Sequence, residues 1–172
     1  MEVFEAIKTR ASVRAFGPCD IPESDLVQIV DAGRRAPSGR NRQPCEFIVV
    51  RDAAVLKQLA TLQDCLGQAS AAIAVIVNEA ATAYWKEDAA AAIENMLLAA
   101  VALGYASLWV EGYVLQQEDK AREILRIPAD RRALAILPLG KPQQAPKQAA
   151  KKKLAELTFL DHFGTPWPAA KG

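Results

Sequence analysis

The sequence contains few histidine and cysteine residues, which are side chains that enzymes use for catalysis without a cofactor. Its 172 residues include one histidine, His162, and three widely spaced cysteines, Cys19, Cys45 and Cys65. A Ser-His-Asp or Cys-His arrangement would have to use His162, which we interpret as a surface or packing residue. No CxxC pair or His-rich set is present, so we expect no metal site of the common zinc type. If the chain is an enzyme, it needs a cofactor.

Charge balance and missing motifs exclude further classes. Twenty-one Lys and Arg against 20 Asp and Glu leave a net charge of +1, so there is no general basic field for nucleic acid. The nucleotide loops GxGxxG and GxxxxGK[ST] are absent. No apolar run reaches the 18 residues of a membrane span, and the start MEVFEAIKTR lacks a signal-peptide core. We expect a cytoplasmic protein that binds neither nucleic acid nor membranes.

What the chain does contain is a mixture of helical and strand patterns typical of one α+β domain with a single sheet. We find no repeat or linker that would divide residues 1–172. Apolar, β-branched runs predict strands at 46–50, 72–77, 107–110 and 133–139. Apolar periodicity predicts helices at 2–9, 53–62, 117–126 and 146–157, and one that opens at Ile21-Pro22 and stops at Ala36-Pro37.

The longest predicted helix runs from Asp88 to Leu103. Of the 17 residues from Asp88 to Gly104, 13 are apolar and seven of these are alanine. A surface helix carries an apolar stripe, whereas this one is apolar nearly all round. We therefore expect it to lie in a core or in a subunit interface.

Two polar segments precede the first long strand. Arg10, Ser12 and Arg14 alternate in an extended stretch and so share one face. Two guanidinium groups and a hydroxyl there suit a phosphate, although a solvated strand face is the alternative. The loop Pro37-Ser38-Gly39-Arg40-Asn41-Arg42-Gln43-Pro44 either presents hydrogen bonds to a flat polar ring or is an ordinary turn.

Two more candidate segments lie in the second half of the chain. Trp109-Val110-Glu111-Gly112-Tyr113 ends in a glycine that would let a ligand approach the backbone closely, unless it marks a simple turn. Leu139-Gly140-Lys141-Pro142 is followed by Lys147 and by Lys151-Lys152-Lys153. A lysine run is usually a solvated face, but one of these ammonium groups could meet a phosphate.

In this order, the four segments resemble the FMN-dependent nitroreductase family. Arg10, Ser12 and Arg14 form R-x-S-x-R after a short helix, which is similar to the opening signature of the family. APSGRNRQP resembles its A-P-S-x-x-N-x-Q-P, and the Ala-rich helix, WVEGY and LPLGKP follow as expected. The resemblance covers about residues 1–155.

The resemblance implies a fold and an assembly. The fold would be a central, mainly antiparallel sheet flanked by helices, forming one FMN-binding domain over residues 1–172. Two such chains would form an intertwined homodimer with two FMN sites at the interface, and the long Ala-rich helix would lie in the dimer core. The tail, about 158–172, would pack on the partner subunit.

The resemblance also implies the cofactor contacts. Arg10 and Ser12 would hold the FMN phosphate, and Arg14 would face the pyrimidine edge, where a cation stabilises charge on the reduced ring. The other expected contacts are Pro37, Ser38, Asn41 and Gln43 from the partner, the backbone of Glu111 and Gly112 near the hydride-exchanging atom, and Gly140, Lys141 and Lys151 at the phosphate. FMN would carry the chemistry, with no catalytic side chain.

The chain departs from the family pattern at three places. Arg40 and Arg42 replace small residues, which predicts a narrower and more basic mouth. The family commonly has an Asn and a basic residue against the ring before the second apolar strand, where this chain offers only Gln63. Ala149-Ala150-Lys151 stands in place of Lys-x-Arg, so we expect one phosphate contact fewer.

The implied function is hydride transfer from NAD(P)H through FMN to a small oxidised acceptor, with nitroaromatics or quinones as the acceptor class. One alternative is other flavin chemistry on the same fold, such as flavin fragmentation or reductive dehalogenation. Another is a non-catalytic flavin-binding protein. An α+β interaction module without a cofactor is the remaining interpretation.

Overall fold

A computed structural model of the chain describes residues 1–168, and the end of the predicted partner-binding tail, residues 169–172, lies outside the described residues. The helices are α1 (Val3–Thr9), α2 (Glu23–Arg34), α3 (Ala53–Leu59), α4 (Trp85–Ala102), α5 (Gly112–Gln116) and α6 (Glu118–Leu125). The strands are β1 (Phe16–Gly17), β2 (Cys45–Val50), β3 (Ala71–Val77), β4 (Ala106–Ser107) and β5 (Arg132–Pro142). Across residues 1–168, no helix combines the length and apolar character that crossing a membrane requires.

The strands form one antiparallel sheet in the order β1-β5-β3-β2, with β4 also paired to β5. Every residue of β3 is buried. Helices cover both faces of this strand, which is why it is a continuous apolar run rather than an alternating one. The expected α+β fold with an antiparallel sheet flanked by helices is confirmed.

Alternating side chains of β3 build two cores, one on each face of the sheet. Ile73, Val75 and Val77 pack with α2 and α4, whereas Ala72, Ala74 and Ile76 face the side of α3, α5 and α6. Burial of each large aliphatic side chain contributes about 1.5–3 kcal/mol. The two cores therefore hold the sheet rigidly between helical layers.

The long helix α4 lies directly against α2. A Cβ added at Gly33 of α2 would come within 2.8 Å of Met96 Cγ, so the absence of a side chain at Gly33 lets the two helices approach. One face of α4 is buried, including Ile93, Met96 and Leu97, and Glu94 is exposed on another face. The prediction that this helix is buried is therefore correct for the face that carries Ile93, Met96 and Leu97.

The prediction of a helix at 146–157 is wrong. In this stretch only Leu154–Glu156 forms a single turn of 3-10 helix, and residues 145–153 have no regular secondary structure. The amide of Gln148 instead donates hydrogen bonds to the carbonyls of Ile7 and Arg10, at 3.0 and 3.1 Å. Ala and Lys favour a helix locally, but a helix of about 12 residues is marginal without packing.

Candidate functional site

The first predicted segment runs extended beside β4. Ser12 bridges to Ser107, and the backbone N–H of Val13 donates to the Ser107 carbonyl at 3.0 Å. Ala11 is buried while Ser12 and Arg14 are exposed, so the alternation predicted for this segment is present. The Arg10 guanidinium is half-buried and its Nε lies 3.6 Å from Glu94 Oε1 of α4.

The tail returns along the same segment from the other end of the chain. The Gln143 N–H donates to the Ala15 carbonyl at 3.2 Å, and the Gln148 side chain bonds the Arg10 carbonyl. Lys151 follows Gln148 by three residues, a span of at most about 10 Å. The structure thus brings the lysine-rich tail close to Arg10 and Ser12.

Ser107 supplies an unpaired polar atom next to this cluster. Its side chain is 2% exposed, and within residues 1–168 its hydroxyl has no hydrogen-bond partner. A buried polar atom without a hydrogen-bond partner lowers the stability of the fold by about 1–3 kcal/mol. Its presence in a native structure therefore calls for a structural or functional explanation. The bridge between Ser12 and Ser107 places this hydroxyl on the strand next to the segment that carries Arg10 and Ser12. Sequence reasoning missed Ser107, since nothing in its local pattern distinguishes it from a core strand residue.

Gly140 and Lys141 have roles within the fold itself. A Cβ at Gly140 would lie 3.2 Å from the Cβ of Phe16, so glycine allows β1 to pack on β5. Lys141 Nζ donates to the Gly104 carbonyl at 2.8 Å and lies 5.1 Å from the Tyr105 ring centroid. A cation at that position stabilises the C-terminal end of α4. The phosphate contacts expected of both residues stay predictions.

Arg14 lies near the 3-10 helix Asp64–Gln68, which follows Gln63. Burial raises the pKa of the Cys65 thiol, and the positive charge of Arg14 partly opposes that rise. Gln63 is half-buried at the same end of this helix.

The loop 37–43 has an unusual backbone for residues other than glycine. Arg40, Asn41 and Gln43 have φ angles of 52°, 56° and 49°. Such residues cost about 1–3 kcal/mol each and persist where the surroundings enforce them. Here the Gln43 N–H donates to Ser38 Oγ at 3.0 Å and the Gly39 N–H donates to Asp88 Oδ1 at 2.9 Å. The loop is held in one shape with Pro37, Asn41 and Gln43 exposed and Ser38 half-buried.

Asp88 is a functional candidate that sequence reasoning missed. Its side chain is 7% exposed, and its Oδ2 has no hydrogen-bond partner within residues 1–168. It borders a cavity of about 60 Å³ together with Ser38 and Gln43. Burial raises the pKa of the adjacent Cys45 thiol to about 11, and the charge of Asp88 adds to the rise. The available signal was an acid directly before four alanines, in the first turn of an otherwise apolar helix.

Gly112 begins helix α5 instead of ending a strand. The predicted strand at 107–110 is reduced to Ala106–Ser107 and a single bridge from Val110 to Ile136. A Cβ at Gly112 would meet no atom within 4 Å, so no contact within residues 1–168 requires glycine there. The side of Gly112 on which a side chain would stand is therefore open, and the contacts expected of Glu111 and Gly112 stay predictions.

Helix α4 anchors both halves of the candidate site. Asp88 holds the loop 37–43, and Glu94, about 9 Å further along the axis, pairs with Arg10. No hydrogen bond within the described part of the chain joins the loop to Arg10, Ser12 or Arg14. The loop and the segment of Arg10 thus contact α4 at two different positions, Asp88 and Glu94.

These features describe an α+β protein with an antiparallel sheet between helical layers and an extended segment of two arginines and a serine beside it. The chain belongs to the nitroreductase family, a family of oxidoreductases, because the Nitroreductase family model matches residues 7–82 and 60–141. The family expected from the sequence motifs is confirmed.

Similar proteins come from archaea and bacteria. An Archaeoglobus fulgidus protein with the provisional name NADH dehydrogenase/NAD(P)H nitroreductase is 39% identical over 150 residues, or 83% of this chain and 86% of that protein. A Bacteroides thetaiotaomicron crystal structure with the same provisional name has a TM-score of 0.84 and 29% identity, covering 94% of this chain and 98% of its own. A provisionally named nitroreductase from Desulfovibrio desulfuricans, solved in complex with FMN, has a TM-score of 0.83 and 30% identity over 95% and 98% of the two chains.

Proposed function

We propose that this chain is an FMN-dependent oxidoreductase that passes hydride from NAD(P)H to a small oxidised acceptor, with nitroaromatics or quinones as the acceptor class. The observation that carries the proposal is that Arg10, Ser12 and Arg14 alternate along one extended segment beside β4, in a member of the nitroreductase family. When bound, FMN supplies the two-electron chemistry that the side chains lack.

The residues of the chain bind and orient in this proposal. Arg10 and Ser12, with Lys151 from the tail, hold the phosphate. Arg14 places a fixed positive charge at the pyrimidine edge, where it stabilises negative charge without reorganisation. Gly112 keeps the backbone open for close approach of the ring. No side chain is needed as an acid or a base.

The working unit in this proposal is a homodimer. Val3, Phe4 and Ile7 of α1 are exposed, with Phe4 at 74%, and so are the tail residues Phe159 and Phe163, the latter at 93%. Clusters of exposed apolar side chains on a monomer mark an interface. A second copy would cover them, and the loop 37–43, which has no bond to its own Arg10 cluster, would serve the site of the partner. With three free cysteines, a reducing, cytoplasmic location remains our prediction.

A visible absorption spectrum of the purified protein, with identification of the released ligand, tests the cofactor. We expect a flavin spectrum, about one FMN per chain, and bleaching by NADPH or NADH. A colourless protein that also refuses added FMN would overturn the proposal. Bound FMN that neither nicotinamide reduces would favour the non-catalytic flavin-binding protein.

Arg14→Ala tests the charge at the pyrimidine edge. We expect weaker FMN retention or slower reduction of the bound flavin, because the variant removes a cation from the ring. Arg51→Ala is the matched control, since Arg51 is also exposed and lies beyond the far end of β2. If Arg14→Ala behaves like Arg51→Ala in both assays, the role assigned to Arg14 is wrong.

A further inference from the structure

We propose that Arg40, Arg42 and Tyr84 form a recognition site for the adenosine 2′-phosphate of NADPH, so that the enzyme prefers NADPH to NADH. The inference rests on the proposed function, because it assigns a specificity surface to the hydride donor of that reaction. It concerns residues that are not among the contacts expected for FMN.

The backbone fixes where both arginines leave the loop. Arg40 adopts a left-handed conformation, with φ 52° and ψ 27°. The Asn41 N–H donates to the Ser38 carbonyl at 2.9 Å, and the Arg42 N–H donates to the Gly39 carbonyl at 3.1 Å. Because the loop is already ordered, a ligand that binds these side chains does not have to order the backbone.

Both guanidinium groups are free to bind an anion. Among residues 1–168, no carboxylate oxygen lies within 4.0 Å of Arg40 or Arg42, whereas Arg34 and Arg35 share Asp31. Arg presents parallel N–H donors that match the oxygens of a phosphate. Arg40 and Arg42 are separated by one residue and together offer more N–H donors than a singly charged carboxylate needs. This surplus favours a phosphate as the ligand.

The neighbouring charges on α4 leave this surface basic. Lys86 is exposed, with its ammonium 5.1 Å from the Trp85 ring centroid. Glu87 is exposed as well, while the buried Asp88 carboxylate accepts the bond from the Gly39 N–H. Arg40, Arg42 and Lys86 thus outnumber the one exposed acid on this stretch of α4.

Tyr84 adds an aromatic face at the same place. Its ring lies against the backbone of Gly39, where an added Cβ would come within 2.8 Å of Tyr84 Cδ2. The side chain is nevertheless 58% exposed. An exposed aromatic ring against the loop that carries both arginines can stack on adenine while a cation of that loop reaches the ribose. Arginine next to the ribose is also how dinucleotide-binding proteins accommodate a 2′-phosphate.

Steady-state kinetics of the FMN-loaded enzyme with a neutral quinone acceptor test the inference. The variant is Arg40→Asn/Arg42→Gln, since Asn tolerates the left-handed conformation at position 40. We expect KM for NADPH to rise at least tenfold, with kcat/KM for NADH and the FMN content changed less than twofold. Arg51→Gln is the control, because this exposed arginine lies roughly 20 Å away along β2 and should leave all three values unchanged.

Equal losses with NADPH and NADH, or no change with either, would overturn the inference. So would a loss confined to the acceptor 4-nitrobenzoate relative to nitrobenzene, because the arginines would then recognise an acidic acceptor. Tyr84→Ala should raise KM for both nicotinamides, and Tyr84→Phe should raise neither. Unchanged kinetics in Tyr84→Ala would show that Tyr84 is not part of the recognition site.

Direct titration separates this inference from the proposed function. We expect 2′,5′-ADP to bind the wild-type protein at least tenfold more tightly than 5′-AMP, and the double variant to lose that difference. This readout needs neither bound FMN nor turnover. A protein that binds 2′,5′-ADP selectively but does not oxidise NADPH would refute the proposed function alone. An active enzyme without this selectivity would refute the inference alone.

Discussion

Asp88 Oδ1 accepts a hydrogen bond from the Gly39 N–H at 2.9 Å, across 49 residues of sequence. The bond joins the first turns of α4 to the loop whose left-handed residues were assigned to ligand contacts. Since Asp88 is buried, its carboxylate is shielded from water and the bond is stronger than it would be at the surface. The shape of the loop therefore depends on a residue that is expected to touch no ligand.

Asp88→Ala should loosen the loop and weaken FMN binding about tenfold, which corresponds to about 1.4 kcal/mol. The reason is that the Gly39 N–H loses its acceptor and the strained backbone of Arg40 and Asn41 loses an anchor. FMN fluorescence quenching measures the affinity. Asp88→Asn keeps an acceptor oxygen and should retain most of it, while Glu87→Ala changes an exposed neighbour and should have no effect. Equal affinity in Asp88→Ala and wild type would contradict this view.

Phe4→Glu should convert the proposed dimer into a monomer that retains little FMN. Phe4 is the most exposed apolar side chain of α1, and burying a charge in an interface costs more than burying a ring gains. Light scattering after gel filtration gives the mass. Gln58→Glu adds the same charge to an exposed position of α3 and should leave the mass unchanged. A dimeric Phe4→Glu variant would mean that α1 lies outside the interface.

Gly33→Ala should destabilise the protein by about 1–2 kcal/mol. Crowding against Met96 costs about 1–3 kcal/mol, and the better helix propensity of alanine offsets up to about 1 kcal/mol of it. Met96 is buried and has little room to move away. Urea unfolding measures the change. In a Met96→Ala background the same substitution should be neutral or stabilising, and an unchanged cost there would show that Met96 is not the obstacle.

Glu118→Gln should remove part of the acid sensitivity of the protein. Two hydrogen bonds from Arg132, at 2.7 and 2.8 Å, lower the pKa of Glu118 below its ordinary value of 4.5. A group with a lowered pKa in the folded state adds stability above its unfolded pKa, and that stability is lost as the pH falls through the folded value. The pair is partly exposed, so we expect a loss of about 1 kcal/mol at pH 7.

Urea midpoints at pH 7 and pH 3.5 check this prediction. The difference between Glu118→Gln and wild type should shrink at pH 3.5, because Glu118 of the unfolded wild-type chain, with its ordinary pKa of 4.5, then binds a proton and favours unfolding. Asp119→Asn is the neighbouring control, because Asp119 is fully exposed. Its contact with Arg122, at 3.7 Å, is longer than the bonds from Arg132 to Glu118. A difference of the same size at both pH values would mean that the charge of Glu118 contributes nothing.

Elements whose hydrophobic pattern agrees with their packing could be predicted from the sequence. Strand β3 was predicted at 72–77 and spans Ala71–Val77, because a buried central strand must be apolar throughout. The tail shows the opposite case. Its alanines and lysines favour a helix. In the structure, however, the Gln148 amide donates to the carbonyls of Ile7 and Arg10, so the segment lies beside α1. Propensity is a weak guide where no apolar face is packed.

The candidate site was predictable only in part. The order of motifs predicted which segments carry the proposed ligand contacts, because together those segments resemble the pattern of one family. The contacts that shape these segments were not predictable, because they join distant residues of ordinary type. Asp88 to Gly39 and Lys141 to the Gly104 carbonyl are examples. The left-handed backbone at Arg40 was equally invisible, because nothing in an arginine indicates it.

The bond between Gln148 and the Arg10 carbonyl also sets an order of events during synthesis. The two residues are 138 positions apart. At about 5–20 residues per second, the ribosome adds Gln148 about 7–28 s after Arg10. Until then the segment that carries Arg10 and Ser12 has no tail beside it, and Lys151 does not yet exist. If Lys151 holds the phosphate as proposed, FMN binds fully only to the finished polypeptide, and a chain that terminates early lacks this contact whatever else has folded.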